Sequence, residues 1–297
     1  MASISGTGIM KRWVGAMLLA SLVTLAQASG HHRHHHHYDP NYIALRSATV
    51  LVLDQSTQQV LYSKNPDPVH PIASITKLMT ALVVLDSGQK LDEKLVVSQE
   101  DVDMLRHSRS RLPVGSEAPR LDFLRMALIA SENRAAAALG RSYPGGIQAF
   151  VQKMNEEAQR LGMKNTHFAD SSGLNAENVS TAHDLALLVE ATEKFPLIRE
   201  ITTTASVTLP VGPRGRDVQF HNTNPLVARS TWNIGLSKTG YINESGQCLV
   251  MQASVHGHPM IFVFLDSHGY GARISDAIRV RQWLEYHHEP QVTVGQL

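Results

Sequence analysis

One cysteine, Cys248, stands in a chain of 297 residues. No intramolecular disulfide can form, so the fold does not rest on cross-links. Cys248 lies in "QCLVM", a strand-like run, where a lone thiol behaves as a small buried hydrophobe. An excess of charge is missing too: 27 Lys and Arg face 26 Asp and Glu, for a net charge of +1. Such a balance leaves no electrostatic footprint for nucleic acid. The apolar run Val14 to Leu25 is short for a bilayer span of about 20 residues, and no internal repeat is present. What the chain does have is bulk. With 43% hydrophobic residues over this length, it can bury the core of one large domain or of two closely packed ones.

The N-terminal stretch has the grammar of export. From Met10 it runs "MKRWVGAMLLASLVTLAQASG". Lys11 and Arg12 form a positive start, Val14 to Leu25 an apolar centre, and Ala26-Gln27-Ala28 a small-residue cleavage site. Residues 1–28 are therefore expected to be a signal peptide removed after export, with residues 1–9 an extension ahead of it. Next comes "HHRHHHHYDP", six histidines within residues 31–37. Histidines bind borderline metals, but no acidic or cysteine ligand lies nearby to complete a site. Residues 29–45 are expected to be a His-rich linker with no resident metal.

Strand and helix signals then divide the chain. "SATVLVLD" (47–54) and "QQVLYSKN" (58–65) are predicted strands joined by a polar turn. A helix follows from Ser74 to near Gly88, with Ile75, Leu78, Met79, Leu82 and Leu85 on one buried face. Residues 121–192 are predicted mostly helical. "LDFLRMALIASENRAAAALG" forms one helical region. "GGIQAFVQKMNEEAQRLG" forms another, with Ile147, Phe150, Val151, Met154 and Leu161 on a face. "STAHDLALLVEAT" opens with Thr181 and Asp184 spaced as a capping box. Strands return in "WNIGLSKTGYI", "QCLVMQASVHG" and "HPMIFVFLD", before a last helix over "ISDAIRVRQWLEYH". Strands from both ends can share one sheet, with the helical middle inserted at about 95–205. That is an α+β architecture over residues 46–288, with a tail at 289–297.

Three short motifs fall in order along this layout. Ser74-x-x-Lys77 opens the apolar helix of "HPIASITKLMTALVVLD". Ser131-x-Asn133 lies in the helical middle. Lys238-Thr239-Gly240 lies in a late strand. The first two are weak alone, since "SGQK" at 87–90 and "SKN" at 63–65 match equally well. The ordered set, each member in its own context, is the one used by penicillin-binding proteins and class A β-lactamases. Lys77 sharpens the point, because an ammonium is costly to carry into so apolar a setting.

On these motifs, and on "ASENRAAAAL", "YPGG", "LGMKNTHFADSSGL", "VSTAHDL", "FHNTNPLV" and "WNIGLSKTGYIN", residues 46–288 resemble the low-molecular-mass penicillin-binding proteins. The likeness is to the D-alanyl-D-alanine endopeptidases of the penicillin-binding protein 7 type. It implies a β-lactamase/DD-peptidase-like fold: a five-stranded antiparallel sheet flanked by helices, with an all-helical subdomain and a reactive serine in the cleft between. It implies a soluble periplasmic serine hydrolase acting on peptidoglycan cross-links, acylated by β-lactam antibiotics, without cofactor or metal, and without a stable membrane anchor once the signal peptide is cleaved.

Chemistry gives each site residue a role. Ser74 is a weak nucleophile until a base stands next to it. Lys77, one helical turn on, becomes that base if burial and a second cation, Lys238, bring its pKa down from about 10.4. Ser131 would relay a proton between Lys238 and the leaving amine. Asn133 would orient Lys77 and the substrate amide, and Thr239 would hold the substrate's terminal carboxylate or nearby carbonyl. Gly240 would let the strand approach the ligand. By resemblance, the oxyanion hole comprises the N–H groups of Ser74 and Tyr241.

The class A β-lactamases place a glutamate in E-x-x-L-N. The nearest run here is "SSGLN", which puts Ser171 at the glutamate position, so a β-lactamase is disfavoured. The run after the last helix, "PQVTVGQL", resembles neither the β-rich second domain nor the amphipathic C-terminal anchor of the carboxypeptidases, so a soluble periplasmic endopeptidase is expected. A D-alanyl-D-alanine carboxypeptidase and a non-catalytic penicillin- or peptidoglycan-binding protein are the alternative functions.

Overall fold

The computed structural model describes residues 43–212 and 215–287. The expected signal peptide (1–28), the His tract (31–37) and the tail (289–297) lie outside the described residues. In chain order the elements begin with β1 (Ser47–Asp54), β2 (Val60–Lys64), β3 (His70–Pro71), α1 (Thr76–Asp86), β4 (Lys94–Val96) and β5 (Glu117–Pro119). The helical middle is α2 (Arg120–Ile129), α3 (Asn133–Arg141), α4 (Gly146–Arg160), β6 (Val179–Ser180), α5 (Ala182–Thr192) and α6 (Pro196–Thr202). The chain then returns to strands with β7 (Ser206–Val211), β8 (Arg216–His221), β9 (Asn233–Ile242), β10 (Gly246–Val255) and β11 (His258–Ser267), and closes with α7 (Ala272–His287).

Strands from both ends of the chain do build one sheet. Its order is β2-β1-β11-β10-β9 and every pairing is antiparallel. Side-chain alternation sorts the two faces. Leu51, Leu53, Cys248, Val250, Ile261, Val263 and Leu265 join the core shared with the helical elements. Val50, Val52, Leu249, Met251, Phe262 and Phe264 pack with Ala277, Val280 and Leu284 of α7 on the other side. Cys248 is buried, as its sequence context suggested.

Four local readings change. The Ser74 helix does not show one buried face: Thr76 to Val84 are all buried, while Leu85 is only partly so. A helix buried all round is a central one, and α1 touches α2, α3, α4, α5 and α6. The stretch read as one helical region is two helices, broken at Ser131, whose φ is 57°. On α4, Phe150 and Met154 are buried as expected, but Ile147 is exposed. The Thr181 cap is half a box: its hydroxyl accepts from Asp184 N, but the Asp184 carboxylate accepts from Asn165 N and Thr166 Oγ1 instead. The β7–β8 hairpin had no counterpart in the sequence reading.

Asp276 on α7 fastens the start of the sheet. Its carboxylate is fully buried and accepts from Arg46 N (2.9 Å), Ser47 N (2.7 Å) and Ser47 Oγ (2.7 Å). Truncation would strand these donors in the interior. Asp276→Ala is expected to lower stability by about 2–4 kcal/mol, read as a fall in Tm. An unchanged Tm would show that the anchor contributes nothing.

Candidate active site

Ser74 sits in a single 3₁₀ turn, Ala73–Ile75, that runs directly into α1. The turn is forced: Ala73 has φ of 48°, a left-handed value that costs a non-glycine residue about 1–3 kcal/mol. β9, the outermost strand of the sheet, runs against this turn. A Cβ on Gly240 would meet Ile72 O at 2.7 Å and Ser74 N at 3.1 Å. Gly240 was expected to make room for a ligand, but the closest thing it admits is the protein's own serine-bearing turn. Gly173 approaches from the opposite segment, where a Cβ would lie 2.9 Å from Ser74 N. Two glycines thus leave the amide of Ser74 unobstructed.

The structure brings every residue of the three motifs to this place. Lys77 Nζ lies 2.7 Å from Ser74 Oγ, 2.8 Å from Asn133 Oδ1 and 2.5 Å from Ser172 O. Asn133 Nδ2 donates to Ser108 Oγ at 3.0 Å, which fixes its carbonyl toward the lysine. Lys238 Nζ lies 3.0 Å from Ser131 Oγ and 2.9 Å from Thr239 O. Thr239 Oγ1 donates to Thr223 Oγ1 at 2.7 Å. Ser131 is not a helix-interior residue, as its context suggested. It occupies the left-handed link between α2 and α3, which turns its hydroxyl toward Lys238. Ser74, Ser131, Asn133, Thr239, Gly240 and Tyr241 line a cavity of about 250 Å³, with Gly173, Leu174, Thr223, Ile242 and Arg273.

Both lysines are fully buried, and burial dominates their titration. The Lys77 pKa falls to about 7, against the opposing pull of the Asp170 and Glu132 carboxylates. Burial and the second cation were expected to act together; burial lowers Lys77 as expected, while the repulsion is expressed on Lys238, whose pKa is pushed well below the ordinary lysine range by burial, then by Lys77, then by Arg273.

Several participants escaped sequence reasoning. Ser172 acts through its carbonyl, which no side-chain motif encodes. Asp170 shapes the loop that presents it, by accepting from Ser172 N (2.6 Å), Gly173 N and Asn175 N (2.7 Å). Ser171 turns away from the cavity and donates to Ala136 O at 2.9 Å. Arg273, near the start of α7, donates to Gly240 O at 2.7 Å and keeps a buried Nε with no partner among the described residues. Arg106 spans from the helical side to the sheet, donating to Leu174 O and pairing with Glu244 at 2.9 Å. Their only sequence trace was a basic residue in a loop or helix start, which has no fixed spacing from the motifs.

A serine held against a buried, near-neutral lysine, with an unobstructed amide beside it, defines a serine-reactive acyl-transfer enzyme. Comparisons place that class. Residues 35–269 match the S11 peptidase family model, described as D-alanyl-D-alanine carboxypeptidase. The D-alanyl-D-alanine endopeptidase of Pseudomonas aeruginosa is 49% identical over 241 residues, 81% of this chain and 78% of that protein. The D-alanyl-D-alanine endopeptidase of Escherichia coli is 44% identical with the same coverage. Among solved structures, the Streptomyces K15 DD-transpeptidase superposes with a TM-score of 0.75 at 30% identity, over 81% of this chain and 97% of that one. Cefotaxime-bound penicillin-binding protein D2 of Listeria monocytogenes gives 0.71 at 29%, over 82% and 98%. The chain belongs to the S11 peptidases, the serine DD-peptidases.

Gly173 tests the fit around Ser74. It has φ of 82°, and an added Cβ would lie 2.0 Å from Ala73 O. Gly173→Ala is expected to displace the serine turn, costing about 1–3 kcal/mol of stability and at least tenfold in labelling by a fluorescent penicillin. Labelling at the wild-type rate would show that the turn tolerates the intrusion.

Proposed function

We propose that this chain is a D-alanyl-D-alanine endopeptidase of the periplasm, which hydrolyses peptidoglycan cross-links through an acyl-enzyme on Ser74. The observation that carries it is the hydrogen-bond geometry at Lys77. A neutral amine has two N–H donors and one lone pair. Asn133 Oδ1 and Ser172 O accept the two N–H bonds, so the lone pair is left for the Ser74 hydroxyl at 2.7 Å. A pKa of about 7 keeps that neutral form populated at neutral pH.

Lys77 takes the hydroxyl proton as Ser74 Oγ bonds to the D-alanyl carbonyl carbon. The oxyanion gathers on the N–H groups of Ser74 and Tyr241. The tetrahedral intermediate collapses, the C–N bond breaks, and the leaving amine receives a proton from Ser131, which Lys238 holds, while the proton taken up by Lys77 replaces it. Water then cleaves the ester and restores Ser74. In a cross-link, the carbon bearing the released amine also bears a carboxylate. Thr239 and Arg273 line the cavity together, and the unpartnered guanidinium N–H of Arg273 supplies a charge-assisted donor to that carboxylate.

The two endopeptidase relatives support cross-links as the substrate. A D-alanyl-D-alanine carboxypeptidase is the second reading, favoured by the family's own description. Product analysis on purified muropeptides separates them: conversion of dimers to monomers is expected, and release of terminal D-alanine with dimers left intact would overturn the endopeptidase reading.

Ser74→Ala is expected to abolish penicillin labelling, with an adduct on any other serine contradicting the assignment. Acylation by the wild type should rise as pH climbs through about 7 and fall about tenfold per unit below it, because the base is the deprotonated, pKa-depressed amine. Lys77→Arg keeps the charge but cannot lose it, so acylation should drop about 10²–10⁴-fold. A near-normal rate would remove Lys77 from the base role.

Deacylation of a penicilloyl group is expected to be slow. No carboxylate is among the cavity-lining residues, and Asp170 is occupied by the backbone N–H groups of its own loop. Intact mass spectrometry after a penicillin pulse should show an adduct lasting minutes or longer. Clearance within seconds would reveal a general base among the carboxylates of this loop.

A further inference from the structure

A wider groove, of about 630 Å³, lies beside the catalytic cavity, and Tyr241 and Arg273 belong to the walls of both. The rest of its wall includes Gly246 and Gln247, which open β10, Ser267, which ends β11, and Tyr270, which is fully exposed in the loop before α7. The sheet is irregular here. Between the pairs Gln247–Ser267 and Leu249–Phe264 the register shifts, and the extra residue region of β11 contains Asp266 at φ 48°. Bulges of this kind re-aim neighbouring side chains, and they collect next to active sites.

Two lining residues keep polar atoms that no described residue satisfies. Gln247 Oε1 and Arg273 Nε are both buried without a hydrogen-bond partner. One is an acceptor and the other a donor. Buried polar atoms are nearly always paired, and with the Arg273 N–H assigned to the carboxylate beside the leaving amine, the orphan acceptor Gln247 Oε1 marks a place for a donor further along the same ligand. A secondary amide supplies it through its N–H. The tyrosines at the groove offer flat amphipathic surfaces to a peptide chain.

We propose that this groove binds the leaving strand of the cross-link: the carbon chain and stem-peptide amides attached to the diamino acid whose side-chain amine is released. The inference rests on the endopeptidase reading. Arg273 fixes its direction, because the carboxylate next to the leaving amine lies against this residue, and the groove continues from there. A departing free D-alanine ends at that carboxylate and has no amide to place in the groove. Gln247 and Tyr270 are therefore specificity-determining residues that favour cross-links and are indifferent to small acylating agents.

Gln247→Ala and Tyr270→Ala test this. For each variant, kcat/KM is measured on a purified tetrapeptide–tetrapeptide dimer muropeptide, alongside the second-order rate constant of acylation by benzylpenicillin, which reports the integrity of the catalytic cavity. Dimer cleavage is expected to fall about tenfold for Gln247→Ala, as for a lost hydrogen bond to a buried group, and several-fold for Tyr270→Ala. Acylation by penicillin should stay within about twofold of wild type. Unchanged dimer cleavage in both variants overturns the groove assignment and leaves the endopeptidase reading standing. A loss on the dimer matched by an equal loss of acylation also overturns it, since the substitutions would then act through the catalytic cavity. A wild-type enzyme that penicillin acylates but that leaves the dimer intact overturns the endopeptidase reading, and the groove assignment with it.

Discussion

The burial of Lys77 is the constraint on which the rest of the site depends. Taking an ammonium out of water costs several kcal/mol, and the protein meets that cost by bringing the Lys77 pKa down to about 7, so that the neutral amine is populated near neutrality. This requires a dry setting, which is why α1 is wrapped by helices on all sides. It also requires fixed acceptors, since a buried amine without partners would be costly in its own right. Those acceptors come from two separate segments, Asn133 at the start of α3 and Ser172 in the loop before β6. The break after α2 and the tight turn at Asp170 follow from the need to deliver them. Remote parts of the sequence are thus tied to one nitrogen atom.

Lys238 extends the same logic to a second group. Two lysines in one buried cleft cannot both carry full charge without strong repulsion, and such pairs titrate as a unit. The repulsion from Lys77 and Arg273 adds to the effect of burial on Lys238. Lys77, closer to the Asp170 and Glu132 carboxylates, retains affinity for its proton near neutrality. The asymmetry sets the two amines apart, Lys77 lying against Ser74 Oγ and Lys238 against Ser131 Oγ.

Much of this was legible in the sequence, and the limits have physical causes. β1 matches its expected span of residues 47–54, and β9, β10 and β11 match the three late runs closely. These strands are buried on both faces and rich in β-branched and aromatic residues, a strong local signal. Ser74, Lys77, Ser131, Asn133 and Lys238, which the fold brings together, could be singled out because the proposed chemistry needs particular side chains in a particular order. The break at Ser131 was missed because Ala130 to Asn133 sits between two good helix formers, and only tertiary contacts demand the kink. The all-round burial of α1 depends on what surrounds it, not on its own periodicity. Ser172 contributes a carbonyl that any residue could offer. Arg273 reaches the cleft from the far end of the chain, at no spacing that a motif records.

The position of β9 has a consequence for how the molecule lives among others. It is the last strand of its sheet, and an uncovered outer strand offers unpaired backbone groups to any extended chain that drifts past. Proteins commonly defend such strands with charges, prolines or bulges. Here the Ile72–Ser74 turn is pressed against Gly240 closely enough to exclude a methyl group, and Arg273 occupies the carbonyl of the same glycine. The turn that carries Ser74 and the Arg273 guanidinium therefore cover part of β9 around Gly240. The same strand borders the cavity at Thr239, Tyr241 and Ile242, so the room open to an extended chain there is bounded by the turn that carries Ser74.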